Sequence, residues 1–375
     1  MLATGSWFNG SKIRGMTTII DDLNNLLQLC RDLSRQPAIG LDTEFMRERT
    51  YFARLCLLQL SAGSDCVCVD TLALQDLGAL RETMGNRQII KVLHAARQDL
   101  EVLAPATGVV TGLFDTQVAA ALIGLPAQVG YGDLVCKILG QNLHKGETRT
   151  DWSRRPLTPA QIEYALDDVR HLLPLRDRLT ERLEKLGRWS WFEEEMAQLD
   201  SAGPFVTDPE EAWRRIKGVN QLDSDRQMLA RALAAWRERR AISSDRPRSW
   251  ILPDPALRDL VLQAPRSLQQ LSRIEELPEG IRNNSGQELL ELIESLRLPA
   301  QLPPLPRRQR REPAENELVR KLAQLTQQTG RELGIAPEIL ATRRELERMV
   351  AGAREGGPMA GWRQGVIGQR LLQAL

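Results

Sequence analysis

The segment AIGLDTEF (38–45) plants two carboxylates, Asp42 and Glu44, among Ile39, Leu41 and Phe45. In a strand the side chains alternate, so Ile39, Leu41, Thr43 and Phe45 share one face and the two acids share the other. Like charges on one face repel, and burying them unpaired is costly. Either basic side chains meet them or the acids hold a cation. Two later stretches supply further oxygen. Asp99, in HAARQDLEVL, falls where a β-rich run gives way to a helix, at the carboxyl end of the sheet where α/β ligand sites form. In LTPAQIEYALDDVRHLL, Thr158 and Gln161 make a Thr-x-x-Gln capping box with Pro159 at the first helical position. Ile162, Ala165, Leu166, Val169 and Leu173 form the apolar stripe of that helix. Tyr164 and Asp168, four residues apart, fall opposite it with Gln161 and His171. Oxygen-only ligation by Asp42, Glu44, Asp99 and Asp168 suits a hard cation such as Mg²⁺ or Mn²⁺ rather than zinc. Four carboxylates exceed the charge of one divalent ion, which favours two ions about 3.5–4 Å apart, clamping the oxygens of an in-line phosphoryl displacement. Tyr164 is placed to position the attacking water or the scissile phosphate. A phenol with its ordinary pKa of about 10 stays protonated at neutral pH and is not assigned as the base.

The elements that must carry these residues follow from the pattern around them. From about 38 to 125 strands and helices alternate: AIGLDTEF, ARLCLLQLSAG and DCVCVD in succession, then QIIKVLHAA leading into a helix, then GLFDTQVAAALIG. A mixed sheet flanked by helices is the natural architecture for this order. Beyond it the chain reads as helix and turn. LDSAGPFVTDPEE (199–211) has the Gly, Pro and Asp content of an interdomain connection, and RLPAQLPPLPRRQRREPAE (297–315) that of an extended linker. The expected organisation is a disordered extension at 1–15, an α/β domain at 16–203, helical modules at 208–296 and 315–375, and a Pro/Arg-rich linker at 297–314.

Here a resemblance becomes specific. LDTEF, HAARQDLE and YALDD, in this order, resemble the three exonuclease motifs of the DEDD superfamily in its tyrosine-bearing branch. The first domain resembles the ribonuclease D family, including RTDWSRRPLTPAQIEYALDD. Residues 208–296 are similar to the HRDC domain, notably in SSDRPRSWILPDPALRDLVLQAPRSLQQL, and the last 60 residues resemble a second, divergent copy. The resemblance implies a ribonuclease H-like fold and a metal-dependent 3′-to-5′ exoribonuclease. Such an enzyme trims structured RNAs such as transfer RNA precursors and releases 5′-mononucleotides. It further implies that Asp42, Glu44, Asp99 and Asp168 hold two metal ions and that Tyr164 orients the water. Asp167 reads as a solvated neighbour.

Composition narrows the alternatives. In 375 residues, 42% are hydrophobic and 26% charged, with a net charge of +1, so any nucleic-acid surface must be a local patch. Lys145, Arg149, Arg154 and Arg155 near the third motif are candidates for that patch, with Thr43, Phe45 and His94 as further candidate substrate contacts. The five cysteines (30, 56, 66, 68 and 136) form no CxxC pair and read as reduced, mostly buried thiols of a cytoplasmic protein. No apolar run approaches the roughly 20 residues of a membrane span. GYG (130–132) lacks the third glycine of a dinucleotide fingerprint, so no nucleotide cofactor is expected. Trp213, Trp236 and Trp250 are expected in the core, and the chain is expected to be monomeric. The rival readings are a single-stranded DNA exonuclease, served by the same acids, and a non-catalytic RNA-binding or helicase-accessory protein built on the helical modules.

Overall fold

The computed structural model describes residues 18–74, 76–143, 150–201, 208–299 and 313–375. By contact the chain forms two units, one of Met1–Met46, Leu55–Phe205 and Arg311–Leu375, the other of Arg47–Arg54 and Val206–Arg310. The terminal extension, Lys145, Arg149 and most of the Pro/Arg-rich linker lie outside the described residues.

The first unit is built on the expected mixed sheet. In chain order its strands are β1 (Ile19–Ile20), β2 (Ala38–Met46), β3 (Arg54–Ala62), β4 (Asp65–Asp70), β5 (Ile90–Leu93) and β6 (Leu113–Asp115). They lie in the order β1-β4-β3-β2-β5-β6. β3 and β4 pair antiparallel, Leu57 opposite Asp70 and Ala62 opposite Asp65. β2, β5 and β6 run parallel, with Gly40 beside Val92 and Leu93 beside Asp115. The carboxyl ends of these parallel strands therefore open on one edge, where helices begin.

Two details bring a helix down onto that edge. A Cβ at Gly40 would run into the Ser61 hydroxyl and the Leu172 side chain, so glycine lets the helical layer sit directly on β2. Ser61 Oγ in turn donates to the Val169 carbonyl at 2.9 Å. The helix concerned, Pro159–Arg170, starts where its sequence says it should. Thr158 and Gln161 bond reciprocally at 3.2 and 2.8 Å, and Pro159 follows at the first position. It ends earlier than the unbroken helical pattern suggests. His171 separates it from a second helix, Leu172–Lys185. Pro174 has no N–H to offer the carbonyl of Arg170, so the ladder fails there. Tyr131 fills the gap: its hydroxyl donates to the Asp167 carbonyl and accepts from the His171 N–H, each at 3.2 Å.

The last helices, from Pro313 onward, belong by contact to this first unit. The Trp362 ring stacks on Trp191 at 4.4 Å, and its indole N–H donates to Glu195 at 2.7 Å. The buried Arg188 donates to the carbonyls of Leu122 and Leu333.

The second unit is all helical, centred on Ser224–Ser244, whose Leu229, Leu233 and Trp236 pack with Leu257, Leu260 and Leu289. Trp236 is core, as expected, with its indole N–H on Glu288 at 2.7 Å. Trp213 is half-buried beneath Arg231. Trp250 departs from the expectation and stands 54% exposed, because the short helix Arg248–Ile251 turns Ile251 rather than Trp250 inward. No described helix is long and apolar enough to cross a membrane. The cysteines are free, but only Cys56 and Cys68 are fully buried and Cys136 is exposed.

Candidate active site

Strand alternation does at β2 what the sequence implies. Asp42 and Glu44 lie on the face toward the capped helix, and Asp168 comes down from that helix's last turn to meet them. Ligand oxygens of Asp42, Glu44 and Asp168 lie within 4.8 Å of one another. Asp99 stands in the first turn of the helix Arg97–Thr107, immediately after β5, and is buried. It is not one of that close trio, but its charge acts on all three.

The electrostatics are those of acids crowded together. Burial, followed by the charges of Asp99, Asp168 and Glu44, holds the Asp42 carboxyl well above the usual carboxylate range. Burial with the Asp168 and Asp99 charges lifts Glu44 to about 8. Burial lifts Asp168 to about 7 against a hydrogen bond from Tyr164 that lowers it, and Asp99 to about 6 against one from Thr43. Four carboxyls displaced upward share a need for positive charge, and an oxygen-only set fits a hard divalent cation. Tyr164 donates to Asp168 from one turn away, its own pKa raised by burial and by the neighbouring acids, so it stays a donor. The ring of the buried Trp152 lies 6.1 Å from the Tyr164 ring.

The remaining sequence candidates fall elsewhere. Thr43 spends its hydroxyl on Asp99 at 2.5 Å and is buried. Phe45 is partly buried on Thr43's side of the strand. Both ring nitrogens of His94 are engaged, by the Thr116 hydroxyl at 2.9 Å and the Val129 carbonyl at 3.0 Å. Arg155 binds both oxygens of Asp70, at 2.6 and 2.8 Å, and the carbonyls of Cys56, Trp152 and Arg154, so it braces the fold rather than offering a free charge. Arg154 is exposed beside Asp151 at 3.1 Å. Asp167 is not merely solvated but pairs with Arg170.

Three supporting residues escaped the sequence reading. Tyr131 braces the turn that carries Asp168. Trp152 flanks Tyr164. Asp115 accepts from the N–H groups of Ala95, Ala96, Gln117 and Val118 at 2.8–3.3 Å, so it fixes the entry to the helix of Asp99. Of these, only Asp115 carried a local signal, an acid just before a helix.

Comparison with known proteins gives the family. Residues 17–184 match a 3′-5′ exonuclease family model, and residues 226–293 match the HRDC domain. The ribonuclease D of Granulibacter bethesdensis is 40% identical over 95% of this chain and 91% of its own. That of Nitrobacter hamburgensis is 36% identical over 94% of each. Among solved structures, Escherichia coli RNase D, described as an exoribonuclease involved in structured RNA processing, superposes with a TM-score of 0.83. It is 31% identical, over 95% of this chain and 98% of its own. With its exonuclease strands, its acid trio and relatives matched nearly end to end, the chain belongs to the ribonuclease D family of 3′-5′ exoribonucleases.

Proposed function

We propose that this enzyme trims the 3′ ends of structured RNAs, transfer RNA precursors among them, releasing 5′-mononucleotides by hydrolysis at the acid cluster. In this reading Asp42, Glu44, Asp99 and Asp168 hold two divalent cations, Mg²⁺ or Mn²⁺. When bound, these supply the positive charge that offsets the cluster and the charge building on the scissile phosphate. Tyr164, kept protonated, positions the attacking water or the phosphate and anchors Asp168. Thr43 fixes the Asp99 carboxyl through a buried hydrogen bond. The single observation that carries this reading is the convergence of Asp42, Glu44 and Asp168 within 4.8 Å. The domain assignment belongs to the same proposal: exonuclease domain at 16–203, HRDC-like modules at 208–296 and 315–375, linker at 297–314. A cytoplasmic monomer is the working state, in keeping with five unpaired cysteines.

The test is nucleotide release from a 3′-extended RNA in Mg²⁺ or Mn²⁺. Asp42→Asn and Asp168→Asn are expected to abolish release while retaining the native circular dichroism spectrum. Activity kept by either variant overturns the assignment. Matched RNA and DNA oligonucleotides compare the two polymers directly, and faster release from DNA moves the substrate class to DNA.

A further inference from the structure

Gln59 is a polar side chain where an apolar one would pack as well. It lies in the middle of β3 and is fully buried, yet neither its Nε2 nor its Oε1 finds a hydrogen-bond partner among the described residues. Alternation puts it on the face of Leu57 and Ser61, with Leu58 and Leu60 in the main core on the other side. That face looks at the capped helix Pro159–Arg170. Leu57 packs with Ala165 and Leu166 of that helix, and Ser61 bonds its Val169 carbonyl. It is also the face of the acids. β2 and β3 are neighbours joined only by residues 47–53, too short a connection for parallel pairing, so they run antiparallel. Gly40 meets Ser61 across that pair, because a Cβ on Gly40 would strike the Ser61 hydroxyl. Two residues on along β2 and two back along β3, Asp42 faces Gln59. On its other side Gln59 is paired with Cys68 of β4, whose thiol is raised by burial and then by the charges of Cys66 and Glu44.

A buried carboxamide without a partner carries a cost that leucine or methionine, of similar volume, would avoid. Such a group is explained when something at the site uses it. Directly opposed side chains have Cβ atoms about 4.5–5.5 Å apart, within reach of a glutamine amide. The neighbouring acids show what is missing. Asp168 has the Tyr164 hydroxyl as a donor, and Asp99 has that of Thr43. Asp42 accepts from the Thr43 N–H but from no side chain among the described residues. A carboxylate that ligates a metal is itself held by hydrogen bonds, which aim its lone pairs.

We infer that Gln59 is a positioning residue of the metal site: its Nε2–H donates to the Asp42 carboxylate when that acid serves as a ligand, and fixes the carboxylate's orientation. The inference rests on the exoribonuclease reading and adds to the four acids a neutral residue that acts through one of them.

Binding of Mn²⁺ to the full-length protein without RNA, followed by loss of the free-ion electron paramagnetic resonance signal, tests it. Gln59→Met keeps the length of the side chain and removes the donor. It is expected to weaken Mn²⁺ binding about tenfold, and to raise by a similar factor the Mn²⁺ concentration that half-saturates nucleotide release. Its melting temperature in EDTA is expected to equal or exceed that of wild type, because the orphaned amide is gone. Should Gln59→Met lose its native circular dichroism spectrum, Gln59→Leu gives the same readout. A variant that binds Mn²⁺ like wild type, while wild type binds the ion and hydrolyses RNA, overturns the role of Gln59 and leaves the exoribonuclease standing. Loss of the fold in both variants does the same, since it marks the amide as a contact of the fold. A wild-type chain that neither binds Mn²⁺ nor hydrolyses RNA overturns both.

Discussion

Each acid of the cluster has a folded-state pKa above its ordinary value, and that displacement has a sign. A carboxyl raised on folding binds its proton more tightly in the native state, so it favours the fold at low pH and opposes it once ionised. Without metal, stability should therefore fall as pH rises from the ordinary carboxylate range through about 6, 7 and 8, where Asp99, Asp168 and Glu44 titrate. Thermal unfolding in EDTA between these pH values is expected to show that decline, and saturating Mg²⁺ to flatten it. A metal-free melting temperature independent of pH would contradict the picture. The same reasoning gives Asp168→Asn an unusual pair of effects. It should abolish nucleotide release yet raise the metal-free melting temperature at pH 8, by about 2–4 °C for each kcal/mol of relieved repulsion. Tyr164→Phe removes a donor without removing a charge. Its expected signature is a fall in kcat of about 10²-fold, with the metal-free pH dependence of stability shifted because Asp168 loses the bond that lowers its pKa. Measured kcat within a factor of about three of wild type would remove Tyr164 from the chemistry.

At the scale of elements, what positions the acids is partly local and partly not, and the difference decides what the sequence could tell. The Thr158–Gln161 box and the alternation at β2 are written within a few residues, so the start of one helix and the face of one strand were readable. The helix break at His171 depends on Pro174, a local signal, but its repair depends on Tyr131, distant along the chain and silent until the fold brings it near. Arg155 shows the same limit: a basic residue beside a motif reads as a phosphate contact until Asp70 from β4 is seen to hold it. His94, at a strand end, reads first as a hydrogen-bonded structural residue and second as a substrate contact, and its partners Val129 and Thr116 become visible only in the fold. Tyr131→Phe is the direct test of the repaired turn. It removes the Tyr131 partner of the Asp167 carbonyl and of the His171 N–H, at about 1–3 kcal/mol, and should loosen Asp168. The expectation is a drop in kcat larger than the drop in stability alone explains, measured at a temperature where the variant is fully folded. A variant that is destabilised but fully active would make Tyr131 a purely structural residue.

For the whole molecule, composition foresaw a chain with a large core, and the order of motifs foresaw a sheet domain before helical segments. It did not foresee which aromatics are structural, because indole rings have no sequence periodicity of their own and their burial is settled by whatever packs on them. Trp250 and Trp362 show the point, both lying in helical segments beyond the sheet domain. Trp362 is 6% exposed, stacked on Trp191 and tied to Glu195, so the last helices share the core of the first unit. Trp250 is open to solvent. Truncating a buried tryptophan costs about 3–5 kcal/mol, and an aromatic pair adds about 0.5–1.5 beyond area. Trp362→Ala should therefore lower the melting temperature by roughly 10 °C, given about 2–4 °C per kcal/mol for a unit of this size. Trp250→Ala should leave the melting temperature nearly unchanged, since it fills no core. Differential scanning calorimetry of the two full-length variants separates the cases. Equal shifts in both would mean that the last helices do not share the first unit's core as the Trp191–Trp362 stack requires.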